Sequence, residues 1–168
     1  MSAEWADFAE TATSQWAEVG IEFNTVAFRT GIRLERLARR HENMLNDALL
    51  PFRSVGIRGM EDFRLLALLT RTNPKTTSST AASKLLGLSK AATSARLDRF
   101  MKEDLAERAK VQYDNRTIEV VVSETGLVVG QECVAAVAIA HERLLSILPE
   151  NKLNQLDLLL GDLTKHFV

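Results

Sequence analysis

The stretch Leu85–Gly126 constrains this chain more than any other part of it. It opens on Leu85-Leu86-Gly87-Leu88-Ser89, a glycine turn after an apolar segment with a serine placed to start a new helix. Gly87 supplies the positive φ that ends one helix, and Ser89 can cap the next, expected over 90–104. Residues 107–112 and 117–122 then alternate as two strands. Ile118, Val120 and Val122 point one way, and Asp114-Asn115 sits at the tip, where turn-tolerant residues belong. Two helices across a tight turn, followed by a basic hairpin, predict a winged helix-turn-helix.

The flanking sequence is helical in pattern, so the expected fold class is mainly α with a small β-hairpin wing. Residues 3–18 place Trp5, Phe8, Ala12 and Trp16 on one face, and Gly20 ends that helix. Residues 25–50 form a long helix with Ile32, Leu34, Leu37, Met44, Leu45, Ala48 and Leu49 as its apolar side. Its Arg29, Arg33, Arg36, Arg39 and Arg40 read as mostly a solvated face. A third helix covers 60–71, and Thr72–Thr77 is a turn. Ser78 or Ser79 then caps a short helix reaching Leu86. Residues 124–148 are apolar nearly all round, which predicts burial on several sides. Pro149 starts a last helix in which Leu153, Leu156, Leu160, Leu163 and Phe167 form a narrow coiled-coil-like seam. The terminal helices show more apolar surface than the small middle domain can cover, so a homodimer dimerised through the N- and C-terminal helices is expected. The organisation anticipated is 1–55 for N-terminal helices with a possible ligand pocket, 56–123 for the winged domain, and 124–168 for C-terminal dimerisation helices.

Composition narrows the class. The chain has 168 residues, enough for one domain with a real core. A single cysteine, Cys133, excludes an intramolecular disulfide framework and fits a reducing compartment. No apolar run approaches the ~20 residues of a membrane span. The acidic start lacks the pattern of a signal peptide, so a cytoplasmic location is expected. Net charge is −1, but it is unevenly spread: residues 1–23 carry five acids and no Lys or Arg, while 56–116 carry twelve basic and seven acidic side chains. A basic middle between acidic ends is the footprint of a face that meets phosphate.

Enzyme chemistry finds no support. His141-Glu142-Arg143-Leu144-Leu145 lacks the second histidine of a zinc-protease motif. There is no phosphate loop, cysteine pair or nucleophile elbow. His41 and His141 read as helix-surface residues, and Cys133 on its apolar helix reads as packing. No catalytic residue, metal or cofactor is implied.

The middle meets the demands of major-groove entry. Residues 89–96 are small or polar almost throughout, which lets a helix backbone approach base edges, while Leu97, Phe100 and Met101 can bury the opposite face. Lys90, Thr93 and Ser94 are placed nearest the groove floor, with Ser89 and Ala91 beside them and Arg96 and Arg99 flanking. Arg96 alternatively serves an ion pair within the chain. Lys110 and Arg116 on the hairpin can reach phosphate or the minor groove. A winged module that contacts protein rather than DNA is the alternative, and the near-neutral chain is its support.

Ser89–Gly126 resembles the MarR-type winged-helix transcriptional regulators, without a gap over 38 residues. The matching positions are Ser94-Ala95-Arg96-Leu97-Asp98-Arg99-Phe100, Asp104-Leu105-Ala106-Glu107-Arg108, Asp114-Asn115-Arg116 and Ser123-Glu124-Thr125-Gly126. Two positions depart from the pattern. Asp104 replaces the usual glycine before the wing, a substitution that a left-handed turn tolerates at some cost. Asn115 replaces the first of two wing arginines, leaving Arg116 as the main wing cation. The resemblance implies that Asp114 braces the hairpin and that Arg116 enters the minor groove. It also implies a homodimeric, ligand-responsive regulator, more often a repressor, on a pseudo-palindromic operator in double-stranded DNA. Trp16, Arg96 and Arg108 fall where the urate-responsive, PecS-like subgroup carries ligand residues. Arg64 stands where that subgroup has an acid, which counts against urate itself. One Trp and three Arg would suit an anionic aromatic ligand; alternatively, Trp16 packs in the core.

Overall fold

The computed structural model describes residues 8–73, 75–109 and 119–166. Their elements run α1 (Phe8–Glu18), α2 (Thr25–Ala48), a 3₁₀ helix (Leu50–Val55), α3 (Met60–Thr72), β1 (Thr77–Ser78), α4 (Ser79–Leu86), α5 (Lys90–Lys102), β2 (Ala106–Arg108), β3 (Glu119–Val122), α6 (Glu124–Leu145) and α7 (Glu150–Lys165). Two compact units emerge, residues 1–44 and 45–168, with the boundary inside α2.

Side-chain caps set most helix starts. Asn24 Oδ1 accepts the Ala27 N–H at 2.9 Å to begin α2. Ser78, Ser89 and Ser123 do the same for α4, α5 and α6, accepting from Ala81, Ala92 and Gly126. Between α4 and α5, Gly87 adopts φ +65°, and the Leu88 N–H donates to the Ser83 carbonyl at 3.0 Å. That geometry closes the end of α4 and turns the chain directly into Ser89.

In the N-terminal unit, Ala9 and Thr13 are the buried residues of α1, and the Thr13 hydroxyl donates to the Ala9 carbonyl. The expected Trp5/Phe8/Ala12/Trp16 face is therefore not the packed one: Phe8 and Trp16 are half exposed. Trp5 lies outside the described residues. Arg29 pairs with Glu10 at 3.3 Å, and Arg36 lies 4.4 Å above the Phe8 ring. Arg33, Arg39 and Arg40 face solvent, as do Leu34 and Leu37 of the expected apolar side.

The larger unit is built around Phe100, Leu105, Leu65, Leu66, Leu69 and Val120, all fully buried. Here α3 packs on α6 and α4 on α5. The wing sheet has three antiparallel strands in the order β1-β3-β2, with Thr77 opposite Val120 and Ala106 opposite Val122. The third strand, β1, falls at the end of the segment read as a turn: two residues carry no period, and pairing with β3 is what makes them a strand. The hairpin tip and the adjoining ends of its arms, residues 110–118, lie outside the described residues.

A compact joint links α5, the sheet and α6. Asp104 adopts φ +56°, the left-handed conformation anticipated where the family pattern has glycine. Its carboxylate accepts from the Thr125 hydroxyl at 2.7 Å, and its carbonyl accepts from the Ser123 hydroxyl. Gly126 lies so close to the Leu105 backbone that a Cβ there would stand 1.9 Å from the carbonyl oxygen. The Ser-Glu-Thr-Gly segment thus has a complete local account: one cap, one brace and one close approach.

After 124, the single chain covers only part of the apolar surface expected there. Within the chain α6 buries a single stripe, Gly126, Val129, Gly130, Cys133, Val137 and Ala140, and leaves Val128, Val134 and Ile139 exposed. No residue of α7 is buried. Among the described residues no helix is long and apolar enough to cross a membrane.

Candidate nucleic-acid interface

The second helix of the turn motif presents two contrasting sides. Thr93, Leu97 and Phe100 are its buried residues, spaced to lie on one face. Lys90, Ala91, Ala95, Asp98 and Lys102 are exposed, and Ser94 is half-buried among them. Ser89, at the tip, is exposed and engaged as the cap. Lys90, Ala91 and Ser94 therefore sit on the open side of α5. Thr93 does not. It is fully buried, and its hydroxyl donates to the Ser89 carbonyl at 3.0 Å, so it packs and steadies the first turn instead of facing a groove. Its place one turn before Leu97 is the physical reason.

Arg96 and Arg99 are engaged inside the chain. The carboxylate of Asp62, 4% exposed in the first turn of α3, is the centre of the arrangement. Its Oδ2 accepts the Arg58 backbone N–H at 2.9 Å, and its Oδ1 accepts from Arg96 Nε at 3.2 Å. Arg99 Nη2 lies against the same Oδ1, and Arg99 Nε is 3.6 Å from Glu103 Oε2. These Arg99 contacts are ionic without the alignment of hydrogen bonds. Arg96 also pairs with Glu61 and donates from Nη1 to the Ala92 carbonyl at 3.2 Å. Arg58 Nη2 reaches Glu103 Oε1 at 3.4 Å. Three arginines and three acids thus form one neutral cluster between the start of α3 and the far half of α5. Arg96 and Arg99 brace the helix, and the ion pair within the chain is the arrangement that Arg96 adopts.

Sequence reasoning missed Asp62, Glu61 and Glu103. A signal existed: two acids open α3, where the helix dipole favours them, and Arg96 and Arg99 are three residues apart on one helix face. Nothing local joins positions 62 and 96, so the partnership emerges only in the fold.

Lys110, Asp114, Asn115 and Arg116 lie outside the described residues. Of the ligand residues expected, Arg64 is exposed on α3 and Arg108 is exposed on β2, where it pairs in register with Val120. Trp16 belongs to the N-terminal unit and is half exposed. That unit has its own groove of about 890 Å³ between α1 and α2, walled by Phe8, Ala9 and Ile32 and by Arg33, Arg36 and Arg40. None of the four expected ligand residues lines it.

No protein-family model and no curated protein sequence matches the chain. Solved structures do. AbsC, a MarR family transcriptional regulator from Streptomyces coelicolor, superposes with a TM-score of 0.68 at 22% identity, covering 88% of this chain and 97% of that one. MarR from E. coli in its apo form gives 0.66 at 21% identity over 79% and 95%. A cysteine-to-serine variant of E. coli MarR complexed with operator DNA gives 0.68 at 19% identity over 85% and 99%. The chain has the winged-helix fold of MarR-family transcriptional regulators.

Proposed function

We propose that this protein is a DNA-binding transcriptional regulator that acts as a homodimer on a pseudo-palindromic operator. One observation carries the reading: a Ser89-capped helix, set by the Gly87 turn and braced by α4, presents Lys90, Ala91 and Ser94 outward beside a small sheet. Small side chains at the helix start allow backbone approach to base edges, and Lys90 supplies a cation at that end. The wing would add Lys110 and Arg116, with Asp114 bracing it. A similar fold with operator DNA bound supports the same placement. In this reading the chain is a cytoplasmic regulator rather than an enzyme, and repression by promoter blockage is its mode.

A ligand would act by changing the separation of the two recognition helices, shifting the population between DNA-competent and incompetent forms. The groove between α1 and α2, with arginines beside aromatic and aliphatic walls, suits an anionic aromatic molecule. The domain roles follow as 1–55 for dimerisation and ligand, 56–123 for DNA, and 124–168 for dimerisation.

The test is binding to the DNA immediately upstream of the protein's own gene at two salt concentrations, with Arg116→Ala alongside. Contact with several phosphates requires affinity to fall steeply with salt. Loss of Arg116 should cost ~1–3 kcal/mol if it reads base edges. A rival reading, a winged module that contacts protein, draws on Asp98 on the open face of α5. It predicts no duplex binding even at low salt.

A further inference from the structure

We infer that Asp62 is a positioning residue of the recognition helix, and that its second effect is to withhold Arg96 and Arg99 from indiscriminate phosphate binding. The inference rests on the DNA-binding reading above. A carboxylate 4% exposed carries a large desolvation cost unless its lone pairs are used. Here both oxygens are used: Oδ2 by the Arg58 backbone, Oδ1 by two guanidinium groups from α5. The acid is fixed by its own element, at a helix N-terminus that favours negative charge. It is therefore the anchor, and the long arginines are what it holds.

The consequence for binding has a definite sign. Arginine is always charged and is suited to phosphate. Arg96 and Arg99 project from the same helix as Lys90, Ser94 and Lys102. Unpaired, two such cations would add sequence-independent affinity, since phosphate contacts carry no sequence information. Paired with Asp62, Glu61 and Glu103 in a neutral cluster, they fix the tilt of α5 and contribute little to the field over the open face. Discrimination is then left to the small residues near Ser89. A mere scaffold role would also make Asp62 important, but its loss would weaken every binding mode together.

Asp62→Asn separates these cases. The amide oxygen can still accept the Arg58 N–H, while the charge that holds both guanidinium groups is gone. Binding of wild type and variant to a random-sequence duplex pool is measured from low to moderate salt. Each released arginine that reaches a phosphate steepens the log–log salt slope by about 0.9. The expectation is tighter non-specific binding at low salt and a slope steeper by about one to two contacts. Glu61→Gln serves where Asp62→Asn fails to fold. Glu61 holds only Arg96 and is partly exposed, so its removal should shift the slope in the same direction by up to one contact. A folded variant with an unchanged or shallower slope overturns the withholding role. Wild-type protein that binds no duplex at low salt overturns the DNA-binding reading, and this inference with it.

Discussion

Asp104 shows how one residue can be strained and useful at once. A non-glycine residue at φ +56° carries a backbone cost of about 1–2 kcal/mol. The Thr125 hydroxyl offsets part of it by donating to the carboxylate, a bond worth about 1 kcal/mol net. Asp104→Gly should therefore be close to neutral, since relief of strain and loss of the bond oppose each other. Asp104→Ala keeps the strain and loses the bond, and should be less stable than the glycine variant by about 1–2 kcal/mol. Urea denaturation of the two variants measures the difference directly. Equal stabilities would mean that the turn relaxes on substitution and that φ at 104 carries no strain.

At the scale of elements, the features legible in the sequence are those whose causes are local. Gly87, Ser78 and Ser89 act within four residues of themselves, and each performs in the structure the role its neighbours imply. What the sequence hides depends on distant partners. β1 exists because β3 lies beside it, and Thr93 faces inward because of where α5 packs. The Asp62 cluster joins residues more than thirty positions apart. The apolar richness of α6 is legible, but which stripe packs is decided by α3. Cys133 sits at the centre of that stripe, and burial, with Glu132 adding to it, pushes its thiol from 9.0 up to about 11. The folded protein should therefore resist thiol reagents near pH 8 and react once denatured. The linkage follows from the raised value. The buried thiol's contribution is whole below about pH 9 and is lost as pH climbs toward 11, because the unfolded chain gives up its proton first. Cys133→Ala should flatten part of the alkaline fall in stability. Rapid labelling of the native protein near pH 8 would contradict the burial.

For the whole molecule, the question is what covers the apolar surface at the ends of the chain. No residue of α7 is buried, and Leu158, Leu159, Leu160 and Leu163 are all exposed on it. On α6, Val128, Val134 and Ile139 are exposed as well. Scattered surface leucines need no explanation, but this number on two consecutive helices exceeds what a monomer commonly leaves to water. A second copy is the occupant that the 153/156/160/163 spacing suits, and a stable dimer buries on the order of 1,200–2,000 Å² or more. The protein should therefore elute as a dimer in size-exclusion chromatography with light scattering, with a Tm that rises with concentration. Leu160→Lys combined with Leu163→Lys should shift it to monomer while α4 and α5 keep their helical content. In the proposed regulator the link to function is geometric, since two recognition helices would be held at a fixed spacing only while the dimer is intact. The monomeric variant should keep weak, salt-sensitive binding to random duplex and lose most of its preference for a palindromic site. A wild-type monomer at micromolar concentration would overturn the dimer, and a double variant that stays dimeric would place the interface elsewhere than this seam.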